Sequence, residues 1–368
     1  MISKKTKKLM IPGPVEVHPD VLRALAEPVE PHYGDAWVEK YQRVLSLLAE
    51  VFNTKGDIFL MMGSGSCAID AAIGSSLLTG EKIIVGNNGF FGDRLVSIAR
   101  RNGLKVVEVA GEWGKKLDPQ DFSKAFKKHP DAKGVAVVHS ETSTTVINPV
   151  EEIGPIARKH DAVFIVDAVS ALGGLPYDMG AWCIDICATA SQKCLGAPPG
   201  LAPIAITKRA WEFINRVETN AHGWYTDLRV WRKYSIDWAD WHPTPVTMAT
   251  NIVNALLVAL EQLMKEGIVN RMERYRRLAL QLREGMRAAG MPPFTPDEEL
   301  NPVLTAGYSP KGIPSSEVVK YLFEKYNIQI SGGLGELKQK VFRIGHMSPI
   351  ITEQDISLVC NALNAFGK

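Results

Sequence analysis

No stretch of the 368-residue chain approaches the ~18 consecutive apolar residues that would suggest a membrane-spanning helix. Nor is there a surplus of either charge. Its 42 Lys and Arg offset 40 Asp and Glu, and a net charge of +2 gives no argument for a nucleic-acid or membrane partner. Cysteine is scarce, with only Cys67, Cys183, Cys187, Cys194 and Cys360, mostly in apolar segments. Cys183 and Cys187 lie four positions apart, but no second cysteine or histidine pair nearby completes a zinc pattern, so no metal is expected. The five read as reduced, buried thiols of a cytoplasmic protein. Lys4, Lys5, Lys7 and Lys8 make a basic start without the apolar segment of a signal peptide behind it. No period of about 20–50 residues repeats, which removes solenoids and propellers.

What is present is ordinary globular material: 46% apolar and 22% charged residues. The length allows two domains at about 100–200 residues each. Pro12 and Pro14 bar regular helix, so Met10 to Pro14 reads as an extended arm. Val21 to Ala26 is a short amphipathic turn or helix. From Asp35 to Phe52, Trp37, Tyr41, Val44, Leu47, Leu48 and Val51 recur at helical spacing. Short apolar strands then alternate with helices: strands at 57–62, 82–85, 104–109, 134–138, 164–167, 185–190 and 201–206, helices at 67–78, after the turn Gly89-Phe-Phe-Gly92 through Arg100, 121–128, 149–160 and 209–217. That alternation predicts an α/β fold, a mainly parallel sheet covered on both faces. The aromatic-rich stretch from Asn220 to Pro245 has no clean period. A long helix follows from Thr247, broken at Gly267 and resumed to Ala289. After the proline loop at 292–296, the order strand (303–308), helix (315–325), strands (328–331, 341–344), helix (352–366) predicts a small α+β domain.

Two runs concentrate the chemistry. Phe164 to Asp167 is a buried strand ending on a carboxylate, and a second run ends just before Ser191, Gln192 and Lys193. Strand carboxyl ends of an open parallel sheet line one crevice, where ligands bind. Asp167 and Lys193 therefore read as an anion and a potential nucleophile facing one ligand, the pair that pyridoxal phosphate requires. Taken singly, Asp167 is equally a helix cap and Lys193 equally a surface charge. Behind Lys193, Leu195 to Gly200 is a stiff, apolar loop that shelters the amine and lowers its pKa. Gly63-Ser-Gly-Ser66, between a strand and a helix, is either an anion site or a tight turn. It lacks a Walker lysine, and Ala68 stands where a dinucleotide fingerprint needs its third glycine.

These motifs, together with His139-Ser-Glu-Thr142-Ser-Thr144, Val166 to Gly174 and Arg343-Ile-Gly, resemble the class V, fold-type I pyridoxal-phosphate aminotransferases. Within that class the resemblance is to the alanine–glyoxylate and serine–glyoxylate (serine–pyruvate) group, and it extends from Pro12 to the last helix. It implies a large domain with a mainly parallel seven-stranded sheet and a small C-terminal α+β domain. The expected division is an arm at 1–14, a cofactor-binding domain at 15–246, a linking helix at 247–275 and a small domain at 276–368. It also implies a ping-pong transfer of an amino group from alanine or serine to glyoxylate or pyruvate, with pyridoxal 5′-phosphate as cofactor. Lys193 would bind the cofactor covalently and carry the proton, while Asp167 would pair with the pyridinium nitrogen. Ser64, Gly65, Ser66 and Gln192 would hold the phosphate, Phe91 and Val169 would cover the two ring faces, and Thr142 would bond near the phenolic oxygen. Arg343 would grip the substrate carboxylate through its planar fork. The family's working form is a homodimer with shared active sites, which suits the aromatic stretch containing Trp224, Tyr225, Trp231, Tyr234, Trp238 and Trp241.

Two departures stand out. Trp241-His-Pro-Thr-Pro245 replaces a Tyr-x-x-Thr-type segment that reaches the partner's phosphate, leaving Thr244 or His242 for that contact. Thr145 replaces a glycine. His139 reads as a structural hydrogen-bonder. Other donors within the class are ureidoglycine, aminoethylphosphonate and pyridoxamine. A cysteine desulfurase-like lyase would need a cysteine in 331–340, which has none, and a nicotinamide-linked oxidoreductase would need an acid at the end of the strand at 82–85.

Overall fold

The computed structural model describes residues 7–216 and 223–367. Lys4 and Lys5, the expected helix end at Val217, the start of the aromatic stretch and Lys368 lie outside the described residues. The central sheet has seven strands: β1 (Asp57–Gly63), β2 (Lys82–Asn87), β3 (Lys105–Ala110), β4 (Ala132–Val138), β5 (Val163–Asp167), β6 (Ile186–Ala188) and β7 (Gly200–Ile206). Their spatial order is β1-β7-β6-β5-β4-β2-β3, and only β7 runs antiparallel to its neighbours. The expected α/β fold and mainly parallel sheet are both present.

Burial on both faces accounts for the apolar runs of these strands. Phe164 and Val166 pack on one side, into the cluster that holds Trp37, Tyr41 and Leu48 of the helix Asp35–Phe52. Val163 and Ile165 pack on the other, against Ala68, Ile69 and Ala72 of helix α1 (Gly65–Ser76). Side chains alternate along a strand, so Asp167 continues the row of Val163 and Ile165 towards the α1 side. Helix α2 (Phe90–Arg101) covers the same side further along. Register fixes the crevice: Asp167 lies across from Val138 on one neighbour and Ala188 on the other.

The C-terminal part has its own core. Helix α3 (Thr250–Glu266) ends at Gly267, whose φ of +87° breaks the run, and α4 (Ile268–Ala288) continues unbroken across residues 275 and 276. Tyr275, Leu278 and Leu282 of α4 pack on Ile344 and Phe342 of a three-stranded antiparallel sheet. Its strands are β8 (Leu304–Tyr308), β9 (Ser331–Gly332) and β10 (Val341–Gly345), with β10 in the middle. Met10 from the N-terminal arm and Cys194 from the loop after Lys193 belong to this cluster too. The arm ties the two parts together through Met10 N to Gln329 O, Gly345 N to Met10 O and Val15 N to Gln192 O.

Two readings of the sequence need correction. The stretch without a period contains a regular helix, Leu228–Asp237, capped by the Asp227 carboxylate on Arg229 N. Only Leu228 and Trp231 of it are buried while the apolar Ile236 is exposed, so its apolar residues do not gather on one stripe and the helical period is blurred. The expected strand 328–331 splits in two: Ile328–Gln329 pairs in parallel with Lys8–Leu9, and Ser331–Gly332 pairs with β10.

One buried charge locks the far end of the sheet. Asp185, fully buried, accepts from Phe164 N at 2.9 Å, from Arg209 Nη1 at 2.6 Å and from Arg158 Nη2 at 3.2 Å. Removing it orphans the Phe164 N–H and leaves two arginines without their shared acid. Asp185→Ala is expected to cost about 3 kcal/mol, the scale for breaking a buried pair from one side, with Asp185→Asn intermediate. Equilibrium urea unfolding of the three proteins measures this; a loss under ~1 kcal/mol for the alanine variant contradicts it.

Candidate active site

The carboxyl ends of β4, β5 and β6 and the start of α1 enclose a cavity of about 170 Å³. Ser64, Gly65, Ser66 and Gln192 line one part of it, and Phe91, Thr142, Asp167, Val169 and Lys193 line the rest. Nine of the eleven residues singled out from the sequence therefore meet in one place. Arg343 and Thr244 are not on its wall. Val138, Ser140, Ser170 and Arg94 are there as well.

Lys193 follows the β6 run and is roofed by the N-terminal arm, whose Pro12 carbonyl accepts from Nζ. Gly13, at φ +94°, is needed beneath that roof because a Cβ there would meet Lys193 Cδ at 2.5 Å. Burial lowers the Lys193 pKa to about 8, helped by the charges of Arg343 and Arg94, against the pull of Cys194 and Asp167. Much of the amine is thus neutral under mildly alkaline conditions, as a nucleophile must be.

Asp167 responds to the same enclosure in the opposite sense. Burial raises its pKa to about 6, against the hydrogen bond its Oδ1 accepts from Val169 N at 2.9 Å; the negative Glu141 pushes it further up. A carboxylate in such a place is best satisfied by a cation brought to it.

Ser64 begins α1 without a side-chain cap. The first N–H groups of a helix lack intrahelical partners, so this end, with Ser64 and Ser66 beside it, suits an anion. Gly65 permits close approach, since a Cβ would sit 2.4 Å from Val169 Cγ2. The buried Gln192 Oε1 has no partner among the described residues, so the amide retains unspent polar capacity at the cavity. Thr142 Oγ1 donates to Ser170 Oγ at 2.8 Å. These groups fit pyridoxal phosphate: an anion cradle, an acid for a ring nitrogen, and a sheltered amine for its aldehyde.

Arg343, on β10, is buried behind the Thr142 wall. Its Nη1 donates to Thr142 O and its Nε to Gly332 O, each at 3.0 Å. Among the described residues no carboxylate lies within ion-pair distance, and burial lowers its pKa to about 10. Thr244 is fully buried elsewhere, its Oγ1 donating to Val246 O at 3.1 Å, and His242 packs its edge on His32 at 4.7 Å. The aromatic stretch divides: Trp231 is core at 1% exposure, whereas Trp224, Trp238 and Trp241 are exposed. His139 is buried against Tyr177 and Trp182; its backbone N–H donates to Asp167 O at 2.9 Å and its carbonyl accepts from Asn148 N at 2.8 Å, while its Nδ1 has no partner among the described residues.

One contributor escaped sequence reasoning. Glu141 is fully buried, and its Oε2 accepts from Phe91 N at 3.1 Å and Gly92 N at 3.0 Å. Its Oε1 accepts from Ser143 N and Ser143 Oγ, while Ser143 Oγ accepts from Phe90 N. Gly89, the N-cap of α2, has no side chain to offer, so Glu141 caps that helix from outside. This cap aims Phe91 and Arg94 at the cavity. The signal in the sequence was the absence of a capping residue before Phe90. Thr145, two residues beyond Ser143, sits at φ +61°, a conformation the family's glycine adopts without strain.

A sheet of this order, with a sheltered lysine, a buried acid and an anion cradle at its carboxyl edge, defines a pyridoxal-phosphate-dependent transaminase of fold type I. The chain belongs to the class-V aminotransferase family, whose model matches residues 25–356. It is similar to an uncharacterised aminotransferase of Methanocaldococcus jannaschii, 40% identical and covering 96% of this chain and 91% of that protein. The solved structure of ureidoglycine–glyoxylate aminotransferase from Bacillus subtilis is 33% identical, covers 99% of this chain and 93% of that one, and has a TM-score of 0.93. Alanine–glyoxylate aminotransferase from Nostoc sp. is 31% identical, covers 99% and 96%, and has a TM-score of 0.94. No helix among the described residues is long and apolar enough to cross a membrane.

The raised Asp167 pKa gives a stability prediction. In the cofactor-free protein the ionised carboxylate is destabilising: the penalty grows as pH rises from the unfolded value of 3.8 and is full above about 6. Asp167→Asn apoprotein should therefore melt higher than wild type at pH 8, with the difference fading towards pH 4. Thermal unfolding across that range checks it, and equal melting temperatures at pH 8 would count against a sheltered charge.

Proposed function

We propose that this aminotransferase moves an amino group from alanine or serine to glyoxylate or pyruvate in two half-reactions. The observation that carries this reading is Arg343, a buried guanidinium held by two backbone carbonyls with no acid beside it among the described residues. A substrate carboxylate supplies the missing charge, and the planar fork fixes its orientation. Both solved relatives named above carry glyoxylate in their names, which supports a small 2-oxo acid as acceptor. The Bacillus relative also makes ureidoglycine the second candidate donor.

Roles follow from position. Pyridoxal phosphate, when bound, supplies an electron sink that makes the substrate Cα–H acidic. Lys193, neutral above about pH 8, would hold the cofactor through its amine and would carry the proton at the substrate Cα. Asp167 would hold a proton on the ring nitrogen, and a cation there would offset its sheltered charge. Ser64, Gly65, Ser66 and Gln192 hold the phosphate; Phe91 and Val169 sandwich the ring; Thr142, tied to Ser170, stands by the phenolic oxygen. We assign an arm at 1–14, whose described residues cover Lys193, a cofactor domain at 15–246, a linking helix at 247–275 and a small domain at 276–368 that carries Arg343. We further infer a cytoplasmic homodimer, with the exposed Trp224, Trp238 and Trp241 against the second copy. Thr244 reaches a partner's phosphate only if its present bond to Val246 is exchanged.

The purified protein should be yellow, with a band that borohydride bleaches. Lys193→Ala should lose that band and fall in turnover by ~10⁴-fold, the upper end for a lost proton carrier; a variant that still turns over would remove Lys193 from its role. Screening alanine, serine, ureidoglycine and pyridoxamine against glyoxylate and pyruvate identifies the pair, and activity with none of the small amino acids would overturn the donor assignment.

A further inference from the structure

The phosphate cradle described above is built from neutral groups. A phosphate monoester brings about −1.5 to −2 charges at neutral pH, and two serines, a glycine and a glutamine offset none of it. Lys193 is committed to the Pro12 carbonyl and to the aldehyde end, while Arg343 stands behind the Thr142 wall. One other cationic side chain lines the cavity, Arg94.

Arg94 lies in the first turns of α2, the helix whose start Glu141 holds. Its Nη1 donates to Ser66 Oγ at 3.3 Å, which puts the guanidinium at the α1 end of the cavity. Its Cζ lies 4.7 Å from the centre of the Phe91 ring and 5.5 Å from that of Phe90. No carboxylate lies within ion-pair distance of it among the described residues, and the adjacent Asp93 is engaged by Asn87 Nδ2 at 2.8 Å. An arginine stacked on two aromatic rings, bonded to a cradle serine and without an acid, has its charge available for an incoming anion.

We propose that Arg94 is the charge partner of the cofactor phosphate, binding it beside Ser66 while its other face supports Phe91. This rests on reading Ser64 to Ser66 as the phosphate end. It assigns one side chain to two tasks, neutralising the phosphate and backing the ring that covers the cofactor.

The test compares cofactors with and without the phosphate. Apoprotein of wild type, Arg94→Ala, Arg94→Lys and Phe91→Ala is titrated with pyridoxal 5′-phosphate and separately with pyridoxal, following tryptophan fluorescence. Arg94→Ala should weaken pyridoxal phosphate about 10- to 100-fold, the range of one charge-assisted hydrogen bond, and pyridoxal less than about twofold. Arg94→Lys should recover most of the loss, because the charge returns without the fork. Added salt should weaken wild type more than Arg94→Ala. Phe91→Ala should weaken both ligands alike. Equal losses for both ligands in Arg94→Ala, or no loss for either, overturns the proposal while leaving the cradle intact. A wild type that binds the two ligands equally well overturns the phosphate end itself. Arg94 is exposed, and unchanged melting of the apo variants verifies that folding is not what is being read.

Discussion

Everything at this site depends on keeping an amine out of water. A lysine on an open crevice would be protonated, hydrated and inert. Here the Pro12 carbonyl and the glycine after it close over Lys193 from a segment 181 positions away in the chain. The enclosure that lowers the lysine's proton affinity also raises that of Asp167, so one act of burial sets both groups in opposite directions. The neutral amine and the carboxylate short of a cation are two results of the same desolvation. What they await is a ligand that is electrophilic at one end and basic at the other.

Much of this was legible in the residues. Strands buried on both faces announce themselves as short apolar runs, and the alternation with helices located the carboxyl edge before any coordinates. The residues flanking that edge, Ser64 to Ser66, Asp167 and Gln192-Lys193, are local to their strands, so their convergence followed from topology alone. Contacts between distant parts of the chain were not legible. Glu141 looks like one residue of a polar run, and nothing local says that it caps a helix beginning at Phe90. Arg94 is an ordinary helical arginine until Ser66 is found beside it. Leu228 to Asp237 failed for another reason: that helix buries only Leu228 and Trp231 and exposes Ile236, so its apolar residues do not mark out one face.

The two buried acids also contrast. Asp185 is met by two arginines and a backbone N–H, and holds the end of the sheet together. Burial pushes the pKa of both acids upward, but Asp167 has only a single N–H to answer its charge. The first is satisfied by the fold, while the second is left wanting. Structure and function thus draw on the same residue type, separated by how completely the protein answers its charge.

The pairing of Lys8–Leu9 with Ile328–Gln329 has a consequence for the order in which the molecule is made. A ribosome delivers the first strand of that ladder more than three hundred residues before the second. The central sheet is complete by Ile206 and is free to collapse as it emerges. The bond from Val15 N to Gln192 O can form once the central sheet has collapsed, but Lys8–Leu9 has no strand to pair with until Ile328–Gln329 has left the exit tunnel. The cover over Lys193 is therefore fastened first on the side of the cofactor domain and last on the side of the small sheet, so closure of the crevice waits on a segment far along the chain.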